Sequence, residues 1–170
     1  PILRTGGLFA AVLVAGVGLD VLSKRWALGH LQPGFTVETL GGLVPLTLSF
    51  NRGIAFGLHL GPASRVVFTA VGVVVLLAVG LLYHATAAAH RARLAALALM
   101  CAGAVGNLVD RVVYPMGVVD FLGPFDLGFM EWPIFNLADI FVTVGTIALA
   151  LALARDRGHQ CLDLPPDGTR

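Results

Sequence analysis

The sequence predicts a membrane protein, mainly α: a bundle of four transmembrane helices with a small β platform, a hairpin, on its outer face. Three observations carry that reading. Of the 170 residues, 57% are apolar and 12% charged, where soluble domains have roughly 45–50% and about 25%. The mean hydropathy is +0.87. Four separate apolar stretches reach the length of about 20 residues that crosses a bilayer, and the two long connections between them hold turn residues, aromatics and acids. So little polar surface cannot cover a water-facing sphere, which excludes a soluble enzyme. Disorder needs low hydrophobicity and high charge, so it is excluded too. Eleven basic residues against ten acidic ones leave a formal charge of +1, without the excess that draws nucleic acid.

The spans fall at about 5–26, 66–84, 94–112 and 136–154, in one domain over 1–155. The first runs on into Asp20 and Lys24 with no small-residue cleavage site, and is expected to be a span rather than a removable signal peptide. In the outer loop 27–65, Phe35–Phe50 (FTVETLGGLVPLTLSF) gives two β-branched, partly alternating runs about Gly41-Gly42, which predicts a β-hairpin. A short link, His84–Arg93, joins the second and third spans. The second outer loop, 113–135, spaces aromatics between turn residues. Trp26 and Trp132 fall at outer boundaries, where indole rings settle. The tail 156–170, with Pro165, Pro166 and Gly168, is expected to be loose and cytoplasmic. Arg4, the Arg91/Arg93 link and Arg155/Arg157 share one face, and short basic segments stay in the cytoplasm. Both termini are therefore expected inside and both long loops outside. Cys101 lies in an apolar run and Cys161 in the tail, so no disulfide framework is expected.

The acids are placed by arithmetic. The uncharged runs Thr5–Leu19, Leu94–Val109 and Ile140–Ala154 end at Asp20, Asp110 and Asp139. At 1.5 Å per residue each run covers only about 22–24 Å of a slab about 30 Å thick. Three carboxylates on three helices therefore lie near the outer interface, and Asp120, which starts the second outer loop, belongs to the same level. Charge at that depth is costly, so chance placement is a poor account of it. Asp20 has Lys24 at i+4, and Asp110 has Arg111 beside it; both suit structural neutralisation. Asp120 and Asp139 have no basic residue within four positions, which singles them out for chemistry. Asn107 lies three before Asp110, with Arg111 four after it, and Asn136 lies three before Asp139. Amides inside membrane helices bond to neighbours rather than to lipid, so a polar pocket is expected at this end.

Five motifs run in order along the chain: Asp20–Lys24 (DVLSK), Asn51–Gly57 (NRGIAFG), Gly103–Arg111 (GAVGNLVDR), Val118–Phe121 (VVDF) and Phe135–Asp139 (FNLAD). With them the chain resembles the lipoprotein signal peptidases, the type II signal peptidases, an aspartic peptidase family of the bacterial inner membrane. The resemblance implies a catalytic dyad at Asp120 and Asp139. It implies supporting or substrate-contacting roles for Asp20, Asn51, Asn107, Asp110, Arg111 and Asn136. Lys24 joins them through the first motif, and Gly53, small like Ala55 and Gly57, would let a substrate approach closely. The implied substrate is a prolipoprotein whose cysteine bears a diacylglyceryl group, cut on the N-terminal side of that cysteine. Globomycin-type inhibitors would occupy the same cleft. Membrane lipids are the other expected partners, no cofactor is expected, and the protein is expected to act as a monomer.

Two carboxyls sharing a site cannot readily both ionise, so the pair keeps one proton and can act as base and acid at once. Which aspartate holds that proton stays open at this stage. Three rival readings fit the acids less well. An ion carrier would spread acids through the membrane's depth, whereas the inner halves of the spans have none. A metal hydrolase would add His or Cys ligands, yet His30 and His59, the outer-side histidines, sit in no motif; no metal is expected. A purely structural protein leaves the two partnerless acids unexplained.

Overall fold

The computed structural model describes residues 2–52 and 63–162. Gly53, Ala55, Gly57 and His59 lie outside the described residues, as does the tail after Leu162. Four helices dominate: α1 (Ile2–His30), α2 (Ser64–Ala85), α3 (Arg91–Val113) and α4 (Leu137–Leu162). Each is proline-free, and all four are long and apolar enough to cross a membrane. In lipid the backbone must satisfy its own hydrogen bonds, which selects helices for such runs. α4 continues past Arg155 to Leu162, into the stretch expected to be a loose tail.

α3 is the central helix, packing on α4, α1 and α2. Small residues allow the close approach. A Cβ on Gly103 would collide with the carbonyl of Ala138 in α4, and one on Gly106 with the Asp20 carboxylate of α1. Membrane helices associate through such packing, because lipid tails are as apolar as leucine. The outward faces are correspondingly bare: Val74 and Leu77 of α2 and Val144 and Ile147 of α4 are exposed.

The expected hairpin is present. β1 (Thr36–Thr39) and β2 (Val44–Asn51) pair antiparallel, with Thr36 opposite Thr47 and Thr39 opposite Val44. The turn between them uses Gly41 and Gly42 at φ 70° and 90°, a region that costs glycine nothing. The platform is larger than a hairpin, however. The second loop contributes β3 (Val118–Leu122), which pairs antiparallel with β2 and completes the order β1-β2-β3. Gly117, at φ 110°, lies where any side chain would strike the Asn51 carbonyl, so the approach of β3 to the end of β2 requires a glycine. A second small hairpin, β4 (Phe125–Asp126) with β5 (Glu131–Trp132), follows.

Successive strand side chains point to opposite faces, and β3 shows what that achieves. Val119 and Phe121 join Leu46 and Leu48 in an apolar cluster on Ala27 and Leu31 at the end of α1. Asp120, between them, is thereby turned to the other face. The apolar cluster stabilises the sheet and also aims the acid.

Candidate active site

Asp20, Lys24, Asp110, Asp120 and Asn136 are all 3% exposed or less, and they meet at one end of the bundle. Buried polar groups on this scale are tolerated only in a connected network, and the connections can be followed residue by residue.

Lys24 Nζ lies 2.8 Å from Asp20 Oδ2 and 2.9 Å from Asp110 Oδ2, and donates to Asn107 Oδ1 at 3.1 Å. The Asp20–Lys24 pair is the i+4 contact legible in the sequence. Asp110 departs from expectation: it pairs with Lys24 across the α1–α3 interface rather than with Arg111, because adjacent helical side chains do not face each other. Asp110 also accepts from the backbone N–H of Val119 at 3.0 Å, which fastens β3 to α3 one residue before Asp120. Asp20 Oδ1 accepts from the Ala138 N–H at 3.0 Å. It satisfies one of the orphan donors at the start of α4, where a negative charge is also favoured by the helix dipole. Asp20 and Asp110 thus position the two elements that carry Asp139 and Asp120.

Asn136 precedes α4, and its relation to Asp139 is a reciprocal cap. Asn136 Oδ1 accepts from the Asp139 N–H at 3.1 Å, and Asp139 Oδ2 accepts from the Asn136 N–H at 3.1 Å. This is the logic of a capping box, whereas the sequence reading placed Asn136 inside the span on the same face. The cap leaves the Asn136 amide nitrogen free to donate twice, to Asp120 Oδ1 at 2.6 Å and to Asn107 Oδ1 at 3.1 Å. Asn107 is oriented by its surroundings: its oxygen faces two donors, so its nitrogen donates to Asp139 Oδ1 at 2.8 Å. Asp120 and Asp139 are therefore joined through a single residue.

Asp120 lies on β3, and burial raises its carboxyl to about 7. The negative charge of Asp139 adds to the rise, while bonds from Asn136 and Asn51 and the more distant Lys24 oppose it. Arg111 stands within electrostatic reach of Asp139, Asp120 and Asp110, and its guanidinium donates to the Asn107 carbonyl at 3.2 Å.

A cleft of about 260 Å³ opens beside this network, between α2, α3 and α4. Asn107, Arg111 and Asp139 form its polar wall; Phe68, Val71 and Val75 of α2 face them. α2 packs on α3 and not extensively on α4, which leaves the gap. Arg65 of α2 donates to the Arg111 carbonyl and ties the mouth of the cleft. The lining of α2 and Arg65 escaped the sequence reading. Positions 68, 71, 72 and 75 are a helical stripe, but on a helix apolar all round no stripe stands out. Of the expected site residues, only Gly53 lies outside the described residues; the others fall in or beside this network. Among the described residues no group of three or more His, Cys, Asp or Glu could hold a metal ion, and between Asp20 and Asp110 an ammonium already supplies the cation.

Known proteins align with this architecture. The lipoprotein signal peptidase of Clostridium novyi (strain NT) is 34% identical over 147 residues, covering 85% of this chain and 96% of its own. That of Bifidobacterium adolescentis is 37% identical over 150 residues, covering 85% and 75%. A solved bacterial membrane enzyme, determined by the in meso method at 2.3 Å, superposes with a TM-score of 0.78 at 26% identity, covering 96% of this chain and 95% of its own. The family profile described as signal peptidase (SPase) II matches residues 12–155, a stretch holding the four clustered aspartates, the capping asparagine and the cleft: the chain belongs to the signal peptidase II family.

Proposed function

We propose that this chain removes the signal peptide from diacylglyceryl-modified prolipoproteins, cutting on the N-terminal side of the lipidated cysteine, with Asp120 and Asp139 activating water. The observation that carries this reading is the bridge through Asn136, which holds both carboxyls while giving neither a cation of its own. Residues 1–155 form the single peptidase domain.

Peptide hydrolysis needs a nucleophilic water and a proton for the leaving amine. Asp120, with its carboxyl at about 7, holds the shared proton near neutral pH. Asp139 accepts an N–H on each oxygen and is the base that takes a proton from the attacking water. Asp120 donates to the scissile carbonyl oxygen, and the proton gained by the pair passes to the departing amine. Arg111, on the cleft wall, offers the fixed fork of donors that suits a peptide carbonyl. Asn51, bonded to Asp120, supports the acid from the sheet. The apolar wall from Phe68 to Val75 suits the acyl chains, which stay in the leaflet and hold the scissile bond at the interface. A globomycin-type inhibitor would fill this cleft.

The acids lie at the extracytoplasmic end of a multi-pass protein of the bacterial inner membrane, with both termini cytoplasmic. The support is the placement of the basic ends of α3 and α4 opposite the acidic site, in accord with the cytoplasmic preference of Lys and Arg. The protein is proposed to work as a monomer.

The test is cleavage of a diacylated precursor in detergent by the purified protein and by Asp120→Asn. Loss of acid–base catalysis predicts a fall of roughly a hundred- to ten-thousandfold, and excess EDTA leaves the wild-type rate unchanged. Near-normal cleavage by the variant would refute the dyad.

A further inference from the structure

We propose that the basic cleft at the far end of the bundle, between the start of α3 and the end of α4, binds the headgroup phosphate of an anionic phospholipid. The cleft has a volume of about 540 Å³ and is lined by His90, Arg91, Arg93 and Arg155, with Ala148 and Leu151 of α4 as its apolar wall. Among the described residues, no acidic one lines it. Arg91 and Arg155 bring two guanidinium groups from two helices to one hollow, and at a membrane boundary their charges are weakly screened. α3 begins here with no acid in its first turn and no side-chain cap from His90, so its dipole adds positive potential to the same spot.

Depth identifies the occupant as a lipid. Along α3, Arg91 stands roughly 28 Å from Asp110 at 1.5 Å per residue, close to the thickness of a hydrocarbon slab. With the acids at one interface, the arginines stand at the headgroup level of the other. Leu151, 60% exposed, continues the cleft along α4 toward the acyl region, which a free phosphate would not need. A choline or ethanolamine cation would meet the Arg91 and Arg155 charges here, so an anionic headgroup is selected over a zwitterionic one.

The experiment measures lipid retained by the full-length protein in detergent, by native mass spectrometry, using dioleoylphosphatidylglycerol and dioleoylphosphatidylcholine as probes. Phosphatidylglycerol is retained at least tenfold better. Arg91→Gln with Arg155→Gln lowers its retention about tenfold, Arg155→Gln alone about threefold, and Arg25→Gln, an exposed charge at the other end, leaves it unchanged. The melting midpoint of each variant without lipid shows that the fold persists, and Arg155, exposed on α4, is the position least able to disturb it. Equal retention of the two lipids, an equal loss in Arg25→Gln, or displacement by millimolar inorganic phosphate would each overturn the assignment, the last in favour of a free-anion site.

Discussion

Two pairs of aspartates sit at one end of this bundle, and they are held in opposite ways. Asp20 and Asp110 flank the Lys24 ammonium, which attracts both and fixes them in place. Asp120 and Asp139 both accept from Asn136, Asp120 from its side-chain amide and Asp139 from its backbone N–H, and these neutral donors give direction without charge. The identity of the central residue separates a structural carboxylate from a chemical one. The largest expected effect follows from that contrast. Asp139→Asn loses cleavage by roughly a hundred- to ten-thousandfold, whereas Asp110→Asn, which keeps an acceptor for the Val119 N–H, mainly loses stability. Steady-state rates normalised to folded protein distinguish them; equal catalytic loss in both would erase the distinction between the pairs.

Lys24→Met breaks the comparison from the other side. It leaves two buried carboxylates facing each other without a cation, and removing one partner of a buried ion pair costs about 3–5 kcal/mol. A melting midpoint in detergent well below that of wild type is the expected outcome. A variant as stable as wild type would show that Lys24 is dispensable to the first pair.

How much of this was visible in the residues depends on distance along the chain. The four spans were legible because hydropathy is continuous over each, and the hairpin because Gly41-Gly42 punctuates two β-branched runs. The Asp20–Lys24 contact is local, at i+4. β3 was not legible: Val118–Leu122 is a short apolar run, and its partner β2 is far away in sequence. The engagement of Asp110 with Lys24 and with Val119 was hidden for the same reason. FNLAD shows the spacing of Asn136 and Asp139, but only coordinates distinguish a cap from a helix face.

The pH dependence of stability sharpens the contrast through Asp120 alone. Its carboxyl is raised from 3.8 to about 7 on folding, so its contribution is fully present below the unfolded value and is lost as pH rises through the folded one. Stability therefore falls between about pH 4 and pH 7 by up to about 1.4 kcal/mol per unit from this group. Asp120→Asn removes the buried charge, and its melting midpoint exceeds that of wild type at pH 8 more than at pH 5. The variant expected to lose activity is thus also expected to be the more stable one, as where a site keeps an ill-solvated group for chemistry. A constant difference between the two pH values would place the titration elsewhere.

The smallest and most selective change is at the bridge itself. Asn136→Ser keeps a good helix cap, so the cost to α4 is only about a few tenths of a kcal/mol. It removes the amide that donates to Asp120 at 2.6 Å, a bond that holds the Asp120 carboxyl below the value its burial would otherwise give. The alkaline limb of the cleavage profile, set in wild type by loss of the Asp120 proton near pH 7, moves to higher pH in the variant. The rate at pH 6 changes less than the position of that limb. A merely structural Asn136 would lower the rate at every pH without displacing the limb. The profile therefore tests whether the neutral bridge sets the proton's residence on Asp120 or only holds the two elements together.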